Sequence, residues 1–276
     1  MMFTFTPTLL LTTLAGLASA FPSFNVPSCN PRDLTQLSCS AKYNVSTDSC
    51  CFNGALEPGQ KESGLVLTTQ FWDAQPSRGS KDSTTAHGLW PDYCDGTYPQ
   101  YCSADSGIIA FGNNLTGIPS IIRKYNPPLA SYLDQIYAND SSLMTHEYDK
   151  HATCFNTLRP QCQVTFPGGP SQQEQIVLSY FGEIANKFRS QPTYNWLKSE
   201  GITPSNTTTY TLAQFEQALT KHYGAKPFVG CNNRGSTFDE VWYYAHTYGP
   251  VVGGHYVPTN STTKSSCTAA TIKYLP

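Results

Sequence analysis

The chain has 276 residues, of which 13% are charged, a formal net charge of −2, six histidines and ten cysteines. A protein that coats nucleic acid neutralises many phosphates and is normally basic, so this balance excludes tight coating of nucleic acid. The length fits one large domain better than two, and neither an internal repeat nor a heptad array is present.

Residues Met1 to Ala20 hold no charged side chain, carry the apolar run Leu9-Leu10-Leu11 and end Ala18-Ser19-Ala20. That is the small-x-small pattern of a signal peptide (residues 1–20), with the mature domain (21–276) expected to start near Phe21. The apolar run, broken by Pro7 and several threonines, is too short to span a bilayer, so no membrane association is expected. Export removes the reducing cytosol, and an even cysteine count then reads as disulfides. Cys-x-x-Cys pairs that would suit zinc are missing.

Gly64 to Trp72 reads as a buried strand that leads toward the segment His87-Gly88-Leu89-Trp90-Pro91. On that strand Gln70 is either a polar contact for a base or an inward-facing amide bonded to neighbouring backbone. In the segment itself, Gly88 allows close backbone approach, Trp90 offers a flat stacking surface, and Asp92 can accept hydrogen bonds from exocyclic amines. The alternative for Trp90 is a core side chain beside a turn built on Pro91. Tyr98 and Tyr101 follow in a loop, and aromatics beside a carboxylate and a histidine suit recognition of a nucleobase.

Helices are expected from Pro128 to Ala138 and from Leu143 to Leu158. The second contains His146-Glu147-Tyr148-Asp149-Lys150-His151-Ala152-Thr153-Cys154. Zinc proteases place two histidines four apart on a helix, whereas His146 and His151 are five apart, which argues against a metal pair. At about 100° per residue, Lys150, Glu147 and His151 fall about 40°, 100° and 140° from His146, on one broad polar face, and Asp149 points away near 300°. Such a face is either solvated or the floor of a cleft. Since imidazole titrates near ~6.5, two of them facing one cleft can hold one proton between them and pass it across a reacting group.

A further helix is expected over Gln173 to Arg189, with Ile176, Val177, Tyr180, Phe181, Ile184 and Phe188 in the core, and another runs from Thr211, capped by Gln214, to Gly224. His222 on it is assigned to surface or packing. Strands are expected at Pro227 to Gly230, Glu240 to Tyr248 and Ala270 to Leu275, with Pro258 to Ser266 as a polar loop. His246 and His255 are read as structural. Helices and strands mix without βαβ regularity, so the fold class is α+β: a single domain with a central, mainly antiparallel sheet packed by helices. Sequons at Asn44, Asn114, Asn139, Asn206 and Asn260 fit a glycosylating secretory route.

The two histidine segments, in this order and with this cysteine pattern, closely resemble the ribonuclease T2 family in its secreted fungal branch, from about Cys29 to about Cys267. The resemblance implies five disulfides: Cys29–Cys51, Cys39–Cys94, Cys50–Cys162, Cys102–Cys154 and Cys231–Cys267. It implies an endoribonuclease that cleaves single-stranded RNA with low base specificity, by transesterification through a 2′,3′-cyclic phosphate. His151 would be the general base and His87 the general acid, with Lys150 and Glu147 at the phosphoryl group and His146 binding phosphate. Trp90, Asp92 and Tyr98 would take the upstream base, with a weak preference toward adenine, and Gln70 a second base. No cofactor and no metal are implied, since the nucleophile is the substrate's own 2′-hydroxyl, and DNA should be inert. Ala152, where glycine is usual, and the extra carboxylate of Asp149 depart from the common pattern, and activity is expected to survive both. A monomer is expected. Final addresses compatible with the sequence are the medium, the wall and the vacuole.

Overall fold

In a computed structural model, the structure describes residues 29, 33–40, 50–54, 56–57, 61–74, 76, 80–137 and 141–276. The expected signal peptide and the sequons Asn44 and Asn139 lie outside these residues. The centre of the fold is a pair of long antiparallel strands, β2 (Lys61–Phe71) and β6 (Thr237–Tyr248). Around them pair β1 (Leu56–Glu57) and β3 (Thr85–Tyr93) on β2, and β5 (Phe228–Asn232), β7 (His255–Thr259) and β8 (Ile272–Lys273) on β6, while β4 (Thr209–Tyr210) pairs with β8. Every pairing between these strands is antiparallel except β6 with β8. The sheet is thus mainly antiparallel, and helices pack against it, as expected for α+β.

The helices are α1 (Ser103–Ser106), α2 (Gly117–Tyr125), α3 (Pro127–Ile136), α4 (Ser141–Lys150), α5 (Gln172–Ser190), α6 (Thr193–Ser199) and α7 (Leu212–Tyr223). Local chemistry sets their starts. Ser171 with Glu174, and Thr211 with Gln214, form reciprocal capping boxes on α5 and α7, so the amide groups that lack a helical partner are satisfied. Asn126 accepts from the Leu129 amide ahead of Pro127 at the first turn of α3. Gly224 closes α7 in the left-handed conformation, φ 95°.

One face of the sheet, through Val66, Ala86 and Leu89, packs on Ile176, Val177, Tyr180, Phe181 and Ile184 of α5 and on the buried sides of α2, α3 and α4. A second cluster joins α6 and α7 to Val229, Phe238, Val241, Tyr243 and Tyr274. The other face of the central strands presents Leu65, Leu67 and Tyr244 beside Trp90 and Trp242. It is this face that carries the candidate site.

Several expected elements are corrected. The helix expected over Leu143 to Leu158 ends at Lys150 and continues as short 3-10 turns at Ala152–Cys154 and Asn156–Leu158. Ala152 is fully buried in the main core, so the turn after His151 is held by packing rather than by helix propagation. Pro91 does not build a turn: it lies within β3 opposite Val66. Among the described strands β3 pairs only with β2, its other bridge, at Ala86 five residues earlier, being to Tyr137, so a residue without an amide hydrogen is tolerated at this edge. Part of the loop expected over Pro258 to Ser266 is the end of β7, and the strand expected over Ala270 to Leu275 is reduced to β8.

All five expected disulfides are present: Cys29–Cys51, Cys39–Cys94, Cys50–Cys162, Cys102–Cys154 and Cys231–Cys267. Two of them clamp the ends of the histidine segments, at Cys94 and Cys154. Asn114, Asn206 and Asn260 are exposed. Among the described residues no helix is long and apolar enough to cross a membrane.

Candidate active site

A regular strand sends side chains i and i+3 to opposite faces, yet His87 and Trp90 share one. The cause is a bulge: Gln70 pairs with Ala86 and Thr69 with Gly88, so His87 is an extra residue without a partner in the ladder. The parity of β3 flips there. Ala86 and Leu89 both face the core, and His87 and Trp90 both face the cleft.

The second segment reaches the cleft from α4. Glu147, fully buried, is the meeting point of both segments. Its Oε2 accepts from the Trp90 indole N–H at 2.6 Å, its Oε1 lies 3.2 Å from His87 Nε2, and Oε2 lies 4.0 Å from His151 Nε2. Trp90 lies edge-on to His87, ring centroids 5.0 Å apart, and stacks on His151 at 4.9 Å with 17° between planes. Gly88 is required here for space. A Cβ at this position would fall onto the Glu147 carboxylate and within 2.6 Å of the Trp90 indole nitrogen.

Two buried tyrosines fasten the segments from below. Tyr180 on α5 donates to the carbonyls of Leu89 (2.9 Å) and Glu147 (3.2 Å), one from each segment. Tyr137, after α3, donates to the His87 carbonyl at 2.6 Å. Burial pushes both phenols well above their ordinary range, with the nearby Glu147 carboxylate adding to it, so they stay neutral donors.

The two imidazoles sit in different surroundings. His151 is 3% exposed, and neither ring nitrogen has a hydrogen-bond partner in the protein. Burial, followed by the nearby Lys150, His87 and His146, lowers it from about 6.5 to about 2, so the neutral form is favoured. His87 is 15% exposed in its side chain and stacks on Phe71 at 3.8 Å with 20° between planes. It has a carboxylate at each ring nitrogen: Glu147 at Nε2 and, at 4.0 Å from Nδ1, Glu240. Burial pushes the Glu240 carboxyl up, opposed by the Trp242 N–H and by His87.

His146 is exposed, one residue before Glu147, with the ring of Tyr101 edge-on at 6.4 Å. Tyr101 takes a left-handed backbone, φ 55°, costly for a residue with a Cβ. It is held there by donating its amide to the Lys150 carbonyl at 3.0 Å and by the adjoining Cys102–Cys154 bridge. Lys150 itself is half-buried at the end of α4. Asp149 indeed points away: its carboxylate accepts from the Phe111 and Gly112 amides at 2.7 and 2.8 Å and ties down that loop.

Asp92, two residues after Trp90 on β3, is 6% exposed, and burial with the neighbouring Asp95 raises its carboxyl to about 8. Tyr98 is 57% exposed in the loop beyond. Gln70 takes the inward-facing alternative. Its Nε2 donates to the Gln191 carbonyl at 2.9 Å, and its Oε1 accepts from Thr84 and Thr193, both at 2.6 Å. Its polar atoms are engaged inside the fold, away from the cleft face, which corrects the expectation that it contacts a base. Among the described residues no group of three or more His, Cys, Asp or Glu side chains is placed to hold a metal ion.

Phe71, Tyr137, Tyr180, Glu240 and Trp242 complete the site and were not singled out for it from the sequence, although Tyr180 was placed in the core. Only the register of β2, β3 and β6 brings Phe71, Glu240 and Trp242 to His87 and Trp90, with Phe71 opposite Glu240 and Thr69 opposite Trp242.

Comparison with known proteins gives one consistent result. The model of the Ribonuclease T2 family matches residues 63–267. Ribonuclease T2 of Aspergillus oryzae is 36% identical over 258 residues, covering 92% of this chain and 85% of that protein. Ribonuclease T2-like 1-A of Candida albicans is 34% identical over 272 residues, covering 97% of this chain but 64% of that protein, so the chain spans under two thirds of that relative's length. Among solved structures, that of Actibind, a T2 ribonuclease, superposes with a TM-score of 0.73 at 36% identity, covering 91% of this chain and 98% of that one.

Proposed function

The chain belongs to the ribonuclease T2 family, and on that footing we propose that it is a secreted endoribonuclease that cleaves single-stranded RNA without metal, through a 2′,3′-cyclic phosphate. The observation that carries the reading is the shared carboxylate: Glu147 lies between the imidazoles of His87 and His151, one from each segment.

In this reaction the 2′-hydroxyl loses a proton as its oxygen attacks the adjacent phosphorus, and the departing 5′-oxygen gains one. A base must begin neutral, and burial keeps His151 neutral, which supports it as the group that takes the 2′-proton. His87, with a carboxylate beside each ring nitrogen, is the partner that delivers the proton to the leaving oxygen. The roles exchange when water opens the cyclic phosphate to a 3′-phosphate. Each proton transfer contributes typically ~10²–10⁴-fold. Lys150, at the end of α4, supplies positive charge for the phosphoryl oxygens, His146 on the same helix binds the phosphate, and Glu147 holds Trp90 and lies beside both imidazoles.

Trp90, Asp92 and Tyr98 are assigned to the upstream base. With its carboxyl raised to about 8, Asp92 is protonated at neutral pH and both donates and accepts, which suits adenine, whose edge pairs an amine with a ring nitrogen. Export is supported by the expected signal sequence and by ten cysteines that are all paired. DNA, lacking the nucleophile, is not a substrate.

The test is poly(A) cleavage by wild type, His87→Phe and His151→Phe, in chelator at mildly acidic pH. Wild type should produce 2′,3′-cyclic ends at undiminished rate in chelator, and both variants should lose at least ~10²-fold. Cyclic ends formed at wild-type rate by either variant would sink the assignment.

A further inference from the structure

The His87 ring is held by more than the two histidine segments. Its Nδ1 is buried and has no hydrogen-bond partner, yet a carboxylate oxygen of Glu240 lies 4.0 Å from it. That carboxylate is itself fixed. The Trp242 indole N–H, two residues along β6, donates to Glu240 Oε2 at 2.7 Å. On the other side Gly230 of β5 lies opposite Glu240, and a Cβ there would collide with the Glu240 side chain, so the glycine leaves the space in which the side chain lies. Phe71, opposite Glu240 on β2, stacks on the imidazole and fixes its plane. Three strands therefore converge to aim one carboxylate at one ring nitrogen.

We propose that Glu240 is a positioning residue for His87: its carboxylate faces Nδ1, holds the ring so that Nε2 lies against Glu147, and stabilises the charged imidazole that donates the proton. The inference rests on the ribonuclease reading above, and it answers a question that reading leaves open. Glu147 alone cannot distinguish the two histidines, because its carboxylate neighbours both. Glu240 neighbours only His87. The charged and titratable groups facing the His87 ring are Glu147 from α4, Glu240 and Asp239 from β6, and His151 after α4. Of these only Glu240 lies on the Nδ1 side within ion-pair distance. An approach of about 1 Å would turn the contact into a charge-assisted hydrogen bond once the ring is charged.

The experiment uses the full chain and three variants. Glu240→Gln keeps an oxygen to accept from Trp242 but removes the charge. Glu240→Asp keeps the charge, and Trp242→Phe removes the anchor. The alkaline limb of the kcat/KM profile on poly(A), set by loss of the acid's proton, should move to lower pH by about one unit in Glu240→Gln. The acid limb should stay in place. Glu240→Asp should restore most of the alkaline limb, and Trp242→Phe should lie between. NMR titration of the imidazole C–H signals, with His87 assigned by its loss in His87→Phe, should show the same displacement in Glu240→Gln without any turnover. If the His87 signal and the alkaline limb in Glu240→Gln match wild type, Glu240 is a packing residue and the proposal is overturned. Should wild type fail to cleave RNA, the ribonuclease reading falls, while the titration still decides whether Glu240 stabilises charged His87.

Discussion

Gly88 is where sequence, packing and chemistry meet most sharply, and Gly88→Ala tests all three. The added methyl falls onto the Glu147 carboxylate and beside the Trp90 nitrogen, with the Glu147 carboxyl carbon 2.9 Å away. Glu147 has no empty space to retreat into, being fully buried between two imidazoles and an indole. Overpacking of this kind costs ~1–3 kcal/mol. Breaking the charged hydrogen bond between Trp90 and Glu147 adds ~1.5–3 kcal/mol. A combined loss of about 4 kcal/mol would lower Tm by about 10 °C in a domain of this size. A displacement of about 1 Å at a catalytic carboxylate can cost ~10²-fold in rate, so kcat on poly(A) should fall at least that far. Thermal unfolding followed by circular dichroism, with cyclic-phosphate release measured on the same preparations, gives both numbers. Trp90→Phe separates the causes, since it removes the hydrogen bond without adding volume and should show the smaller loss of stability. Wild-type Tm and turnover in Gly88→Ala would refute the crowding argument.

Burial of His151 makes stability depend on pH with a definite sign. The unfolded chain takes up the proton near ~6.5 and the folded one only near about 2, so stability falls as pH drops through that window, by at most ~1.4 kcal/mol per pH unit. In urea titrations His151→Phe should flatten this slope, and an unchanged slope would contradict the burial argument. Asp92 acts in the opposite sense. Its carboxyl, at about 8 when folded and near ~3.9 unfolded, contributes stability that is fully present below ~3.9 and lost as pH rises through about 8. Asp92→Asn keeps a donor and an acceptor, so below pH 8 it should retain the preference among homopolymers that Asp92→Leu loses. Removing the Cys102–Cys154 bridge by a double alanine substitution should cost ~2–4 kcal/mol, measured by denaturant unfolding. It should also raise KM more than it lowers kcat, because Tyr101 loses the clamp on its left-handed backbone beside His146.

Much of the candidate site was legible because the proposed chemistry depends on residue identity within two short segments. His87, Glu147 and His151 meet, and the capping boxes of α5 and α7 start those helices at Ser171 and Thr211. What escaped was geometry with no local signature. A helical wheel drawn through His151 assumed a helix that stops at Lys150. Pro91 looked like a turn former, and its place on a strand that pairs with β2 alone among the described strands makes it acceptable in a sheet. The bulge at His87 depends on how β3 pairs with β2, and pairing is non-local, so the shared face of His87 and Trp90 could not be read from their spacing. Gln70 illustrates the same limit. Whether its amide faces a ligand or the fold was decided by Gln191 and Thr193, more than a hundred residues away.

The fold also accounts for how a nearly neutral protein could perform the proposed reaction on a polyanion. Net charge gives it little long-range attraction for RNA, so the work falls to charges placed around a few atoms. Burial without hydrogen-bond partners favours the neutral form of His151, as the proposed base requires at the start of the reaction. Two carboxylates, one of them held by Trp242 and admitted by Gly230, make the opposite environment around His87. The asymmetry comes from which strand each ring faces rather than from the residues themselves, since both are histidines beside the same Glu147. That places the division of labour in the pairing of β2, β3 and β6. Changes that shift this pairing, such as filling Gly230 with a side chain, should therefore disturb acid catalysis while leaving every residue of the two histidine segments intact.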